Sequence, residues 1–255
     1  MNEKEVRALV ERMIVELAGQ APTPQVKGAD YHPMERESTA GDGCLDDISE
    51  IDLRRQYLVK DPRNGPAFLD LKRKTPARLG VGRAGARYKT ITMLRMRADH
   101  AAAQDSVFSH VDEAFVDQNG WVFTQTLCAD KDEYLTRPDR GRRFDEQNQA
   151  IIQKTFGRSP KVALVVGDGL SSAAIEANAA DCMQAIRAGL EAYGIPPGPV
   201  LFVKYCRVGA CDHIGDLTGA EVVCMLVGER PGLVTAESMS AYVTYQPHIG
   251  IPESK

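Results

Sequence analysis

No stretch of this 255-residue chain approaches the roughly 18 to 20 consecutive apolar residues that a bilayer span needs. The opening MNEKEVRALVERM is charged throughout and has no apolar core of the kind a secretion signal carries. A cytosolic protein is therefore expected. Six cysteines (Cys44, Cys128, Cys182, Cys206, Cys211 and Cys224) are scattered with no C-x-x-C pair, which argues against both a disulfide framework and a zinc site. Three of them lie in or beside apolar segments, where a thiol behaves as a small hydrophobe. Also missing are a Ser/His/Asp grouping, clustered metal ligands and a carboxylate pair, so no catalytic and no metal-ligating residue is assigned.

What the chain does contain is enough apolar material for a packed core, 43% of its residues. Its charge is unevenly spread. Residues 1–50 carry eleven Asp and Glu against five Lys and Arg, whereas Lys72 to Arg97 holds nine basic residues and no acidic one. That basic run has only Tyr88 as an interleaved aromatic and belongs to a chain of net charge -4, so protein or phosphate contacts suit it better than nucleic acid.

Val6, Leu9, Val10, Met13, Ile14 and Leu17 repeat at helical spacing, and residues 1–20 read as a short amphipathic helix. Gly, Pro and polar residues dominate 21–44, which read as a flexible linker, so the helix is taken as a tag for a partner or for targeting. Residues 45–158 are expected to be mainly helical, through LDDISEIDLRRQYLV, GPAFLDLKRKTPARL, TITMLRMRADHAAAQDSVFSHVDEAFV and RRFDEQNQAIIQKTF, with Gly80, Gly82 and Gly85 as interruptions. One short strand is read at WVFTQTL.

From Val162 the texture changes. VALVV is a branched apolar run ending in Gly167-Asp168-Gly169, followed by a long helical segment; PVLFVKYCRV, CDHIGDLTG and AEVVCMLVGE then read as strand, short helix and strand, and TAESMSAYVTY as a last helix. This alternation over 159–255 predicts a doubly wound α/β layer with parallel strands. Ligands of such sheets sit at the carboxyl ends of the strands, which makes Asp168 and Gly169, Arg207 and Val208, and Gly228 to Arg230 one candidate edge.

The turn Gly167-Asp168-Gly169-Leu170-Ser171-Ser172 departs from the dinucleotide fingerprint, with Ser172 where its third Gly should stand. It reads as a tight turn with a helix cap ahead of a phosphate cradle, and an independent nucleotide-binding enzyme is disfavoured. Glu229, where the third strand leaves the core, has two readings: a solvated pair with Arg230 or another Arg, or an acceptor for ligand amides. The four Arg of Tyr134-Leu135-Thr136-Arg137-Pro138-Asp139-Arg140-Gly141-Arg142-Arg143 suit a solvated face, an ion-pair hub or a ligand loop equally well.

Five stretches together resemble the light chain of ethanolamine ammonia-lyase: Gly82-Arg83-Ala84-Gly85-Ala86-Arg87, Arg97-Ala98-Asp99-His100, the Tyr134 to Arg143 run, Asp168-Gly169-Leu170-Ser171, and Gly228-Glu229-Arg230-Pro231-Gly232-Leu233 with Glu237-Ser238 after it. They fall in order between about residues 66 and 247. The resemblance implies a Rossmann-like small subunit on a TIM-barrel large subunit, with adenosylcobalamin held between them. It further implies radical conversion of ethanolamine to acetaldehyde and ammonia, with most of the substrate chemistry on the large subunit. Val208 and Glu229 are then the corrinoid contacts, with Arg207 beside them. His213 in Cys211-Asp212-His213-Ile214-Gly215 does not fit the D-x-H-x-x-G spacing that supplies a lower cobalt ligand; nor does Asp30-Tyr31-His32-Pro33-Met34-Glu35, which lacks the Gly. Cobalamin is accordingly expected base-on, and His213 is read as the start of a short helix.

Where the family has an N-terminal extension it is associated with packaging into a bacterial microcompartment, which suits residues 1–20 as a shell-directed tag. The competing reading is a non-catalytic scaffold or targeting adaptor. Family members also continue past Tyr245-Gln246-Pro247 with a segment that adds a corrinoid contact, whereas this sequence stops at Lys255. The resemblance thus implies a shortened version or a less complete cobalamin site.

Overall fold

Alternation along three apolar runs builds the centre of the molecule. In 162–168, 200–204 and 222–228 successive side chains point to opposite faces of one sheet, and both faces are covered, so the runs are apolar up to their ends, where Asp168 and Lys204 stand. The computed structural model describes Ile48 and residues 51–251, all within the unit Asp47–Lys255. The helix read at 1–20, the linker at 21–44 and Cys44 lie outside the described residues.

A 3-10 turn at Leu53–Arg55 leads to α1 (Gly65–Arg73), the small hairpin β1 (Arg83–Ala84) and β2 (Arg87–Tyr88), α2 (Thr90–Phe108) and α3 (Glu113–Gln118). Then come β3 (Val122–Gln125), α4 (Lys131–Thr136), a second 3-10 turn (Arg140–Arg142) and α5 (Glu146–Phe156). The chain finishes β4 (Val162–Asp168), α6 (Ser172–Ala192), β5 (Val200–Lys204), α7 (Ala210–Thr218), β6 (Val222–Gly228) and β7 (Met239–Tyr245). Five of these helices start on a side chain that accepts one of their free N–H groups: Asn64, Asp112, Asp130, Asp145 and Ser171. Each such cap stabilises its helix by about 1 kcal/mol.

The five-stranded sheet has the order β3-β5-β4-β6-β7, parallel except for β7, which pairs antiparallel with β6. Ala163, Val165, Leu201, Val203, Val223 and Met225 face α5 and α7, while Leu164, Val166, Val200, Phe202 and Leu226 face α6, Val116 and Trp121. After β4 the chain passes through α6 to β5 on one side; after β5 it passes through α7 to β6 on the other. The carboxyl ends of β5, β4 and β6 therefore lie side by side where the strand order reverses, the usual place for a ligand in an open α/β sheet.

Several expectations change. TAESMSAYVTY is not a helix: its second part is β7, in which Tyr242 packs on the core while Ala241, Val243 and Tyr245 are exposed. Period-two burial and the high β-propensity of Tyr, Val and Thr win once β6 offers an open edge. The doubly wound layer is thus parallel in four strands and closed by an antiparallel fifth. The strand read at WVFTQTL exists as β3 and extends the sheet beside β5. Of LDDISEIDLRRQYLV, the described part holds only the 3-10 turn. The long segment from Thr90 breaks after Phe108, because Val111 N–H turns inward to bond Asp168 Oδ2 and Asp112 starts a new helix as its cap. α1 ends before the Thr75-Pro76 pair, as a Pro demands.

Candidate functional site: the carboxyl edge of the sheet

Asp168, at the end of β4, is buried, and its carboxylate accepts from Ser172 Oγ at 2.8 Å and from Val111 N–H at 3.3 Å. Its backbone carbonyl accepts from Cys206 N–H at 2.9 Å, and two residues on Leu170 N–H donates to Gly228 O at 3.0 Å, so the turn after β4 is bonded to the ends of both neighbouring strands. Ser171 caps α6 by accepting from Ala174 N–H and donates its own hydroxyl to Ala236 O. A Cβ on Gly169 would lie 2.7 Å from Gly228 O, and one on Gly228 would overlap the Ser171 carbonyl oxygen. Backbone fills the gap between β4 and β6. The glycines serve this close approach, and the reading as a tight turn with a helix cap is the one the structure bears out.

Sequence reasoning overlooked a group of buried cations and aromatic rings at the same edge. Lys131, the first residue of α4, is 5% exposed; its ammonium donates to Gly169 O at 3.1 Å and Ser109 O at 3.3 Å and faces the Tyr134 ring at 5.3 Å. Burial pulls its pKa below the ordinary lysine value, with Asp168 opposing. Tyr134 is buried and donates to Cys206 O at 3.1 Å, and burial drives its phenol well above the ordinary range. Tyr205 takes a left-handed backbone, φ +58°, directly after β5, and His110 packs edge-on against it at 5.6 Å. Burial and then Lys131 hold His110 below the usual imidazole pKa. Burial also raises the thiols of Cys206 and Cys211, the latter to about 12. Nothing in a pattern such as DKDEYLT tells a solvated charge from a buried one, so only the aromatic residues after charged neighbours gave any signal.

The residues singled out from the sequence are placed as follows. Arg207 directs its guanidinium inward: Nη2 donates to Tyr134 O at 2.7 Å, the group lies 4.4 Å from the Tyr134 ring, and the backbone N–H donates to Gly141 O at 3.0 Å. Val208 is partly buried against the α7 side of the core, and its carbonyl accepts from Cys211 N–H in the first turn of that helix. Glu229 is half-buried; Oε1 accepts from the Tyr242 hydroxyl at 2.7 Å and its N–H donates to Ser238 O. Its partner is thus a phenol on β7, where the sequence offered Arg230 or another arginine. His213 lies in the first turn of α7, three residues after the start, with Nδ1 accepting from Phe144 N–H at 3.2 Å.

The arginine run beginning at Tyr134 also divides. Arg137 pairs with Asp139 in solvent, Arg140 donates to Leu127 O and pairs with Glu133, and the Arg142 side chain packs on Gly209. Much of the basic stretch after Lys72 is spent on structure: Lys72 donates to Gln56 O, Lys89 to Leu58 O, and Arg78 and Arg95 both pair with Asp99. Arg54, Arg78 and Arg95, with Asp52 and Asp99, line a cavity of about 290 Å³ that includes none of the strand-end residues. Among the described residues no group of three or more His, Cys, Asp and Glu could hold a metal ion, and no helix is long and apolar enough to cross a membrane.

Fold and site together define a class: an α/β protein with a Rossmann-like sheet whose strand ends form a polar platform. Residues 66–255 match the model of the family described as ethanolamine ammonia-lyase light chain (EutC). The chain is 57% identical over 255 residues to the ethanolamine ammonia-lyase small subunit of Clostridioides difficile (strain 630), covering all of this chain and 87% of that one. It is 56% identical to the small subunit of Clostridium perfringens (strain ATCC 13124) and 50% identical to that of Listeria monocytogenes serotype 4a (strain HCC23), at the same coverage of each. The chain belongs to the ethanolamine ammonia-lyase light chain family.

Proposed function

We propose that this chain is the small subunit of an adenosylcobalamin-dependent ethanolamine ammonia-lyase, completing a corrinoid site on a large subunit that binds the substrate. The observation that carries the reading beyond family membership is the placement of Val208 and Glu229 just past the ends of β5 and β6, the two strands that flank β4. The donor set suits the cofactor. Corrin side-chain amides need acceptors, and Glu229 offers a half-buried carboxylate with one oxygen steadied by Tyr242. Val208 offers an apolar side chain and backbone polar groups on a turn braced by the core. When bound, adenosylcobalamin supplies the radical chemistry that converts ethanolamine to acetaldehyde and ammonia.

The chain's own residues then have limited tasks. Glu229 would accept hydrogen bonds from the corrinoid's side-chain amides, and Val208 would offer it apolar contact and backbone polar groups, with Arg207 flanking. The Asp168 turn and Lys131 keep the strand ends rigid, which limits the ordering cost of binding. His213 spends Nδ1 on Phe144 N–H, and the cofactor would keep its own lower base. We read residues 1–20 as the segment that directs the protein into a bacterial microcompartment, on the strength of their amphipathic sequence pattern.

Acetaldehyde formation from ethanolamine by the large subunit with adenosylcobalamin, measured with and without this chain, tests the reading. Turnover is expected only with the chain present, and deleting residues 1–20 should leave it unchanged. Glu229→Gln should raise the cofactor KM by about tenfold, as loss of one charge-assisted hydrogen bond predicts. Turnover without the chain, or no turnover with it, would refute the assignment.

A further inference from the structure

The turn after β5 is gripped by a reciprocal interlock with the 3-10 turn at Arg140–Arg142. Gly141 lies so close under Arg207 that a Cβ there would stand 2.7 Å from Arg207 Cγ and 3.3 Å from Tyr205 O. Gly209 in turn receives the Arg142 side chain, whose Cδ would stand 3.1 Å from a Cβ on Gly209. Val208 sits between these two contacts. Arg207 spends its backbone N–H on Gly141 O and Nη2 on Tyr134 O, and stacks its guanidinium on the Tyr134 ring; its Nε is buried with no hydrogen-bond partner among the described residues. Tyr134 closes the loop by donating to Cys206 O. Thr126 Oγ1 donates to Tyr205 O at 3.0 Å, so the left-handed residue that starts the turn is pinned as well.

A side chain arranged this way has its planar face and one fork nitrogen committed inside the protein, which is a poor geometry for reaching a ligand beyond Val208. We propose that Tyr134 and Arg207 form a positioning pair that fixes the backbone from Cys206 to Val208 for its corrinoid contact, so that Arg207 serves the cofactor through Val208 without touching it. This rests on the role given to Val208 above. The arginine-rich run from Tyr134 to Arg143 is, on this view, the clamp behind the site and not its ligand loop.

The test uses the assembled complex of large subunit and full chain, with binding of cyanocobalamin measured by equilibrium dialysis alongside KM and kcat with adenosylcobalamin. Tyr134→Phe removes only the bond to Cys206 O, and Arg207→Lys keeps the charge while losing the planar stack. Each should raise the cyanocobalamin Kd and the cofactor KM by about fivefold while kcat at saturation stays within about twofold, since the contact is mis-set and the chemistry is elsewhere. The double variant should be no worse than the weaker-binding single, because both act on one backbone segment. Two results would overturn the pair: Tyr134→Phe binding as wild type while Arg207→Lys is impaired, which would make Arg207 a direct ligand, or losses that multiply in the double variant. A wild-type complex that binds no cobalamin would instead sink the reading on which the proposal rests.

Discussion

Lys131→Met keeps the length and apolar stem of a buried side chain while deleting its ammonium, and the cost follows from the groups that the ammonium serves. Ser172 Oγ lies 2.9 Å from Ser109 O and 2.8 Å from Asp168 Oδ1, and its single proton serves only one of them, so replacing the Lys131 donor at Ser109 O takes that proton from Asp168. Gly169 O loses the Lys131 bond at 3.1 Å, and the Tyr134 ring loses a cation on its face. Asp168, buried, loses a compensating positive charge. Against this stands the penalty of keeping the ammonium out of water, which the variant is spared and which the lowered lysine pKa registers. One charge-assisted bond and an uncompensated buried carboxylate, less that relief, give a net loss of about 2 to 3 kcal/mol. At roughly 2 to 4 °C per kcal/mol for a folded unit of this size, thermal unfolding of the full chain should move down by about 4 to 12 °C. Calorimetry or urea unfolding monitored by circular dichroism reads this directly. A variant as stable as wild type, or more so, would show that burying the ammonium costs as much as its bonds return and would refute the account of Lys131 as the brace of the strand ends.

Two further outcomes follow from the geometry. Gly228→Ala would drive a Cβ into the Ser171 carbonyl, with Ser171 C at 2.9 Å and N at 3.2 Å and only backbone to displace, so a loss of about 3 kcal/mol is expected; Gly189→Ala, in α6 with no atom within 4 Å, should gain about 0.5 to 1 kcal/mol. Equal Tm values for these two variants would contradict the packing of the Asp168 turn against β6. His213 accepts from Phe144 N–H only while Nδ1 is unprotonated, and burial, then Arg143, hold its pKa below 6.5, with Asp216 opposing. The unfolded chain therefore takes up the proton first as pH falls, and stability from this group, complete above about pH 6.5, is lost as pH drops toward the folded-state pKa. Urea midpoints at pH 7.5 and 5.5 should differ less in His213→Gln than in wild type, and an unchanged difference would exclude the imidazole as a source.

Local pattern carried far in the second half of the chain. Branched apolar runs announced β4, β5 and β6, and the alternation with helices announced the parallel core, because strands covered on both faces need apolar side chains at every position. Val208, Glu229 and the Asp168 turn could be placed at strand ends from the same pattern. TAESMSAYVTY failed because seven residues of mixed propensity take the conformation their neighbour offers, and the open edge of β6 offered a ladder. TITMLRMRADHAAAQDSVFSHVDEAFV is mostly helical as expected, but its break after Phe108 is set by Asp168, more than fifty residues away.

Composition and periodicity therefore determined the sheet's central strands, the absence of a long apolar span and the candidate edge, all of which depend on which side chains must leave water. Tertiary structure alone decided that Lys131 is buried and Arg137 is not, that Arg207 faces Tyr134, and that Glu229 meets the Tyr242 hydroxyl and not an arginine. A charged side chain written in sequence has no direction. Its partner is chosen by which strand ends the crossovers bring together, and that choice is made through contacts distant in the chain.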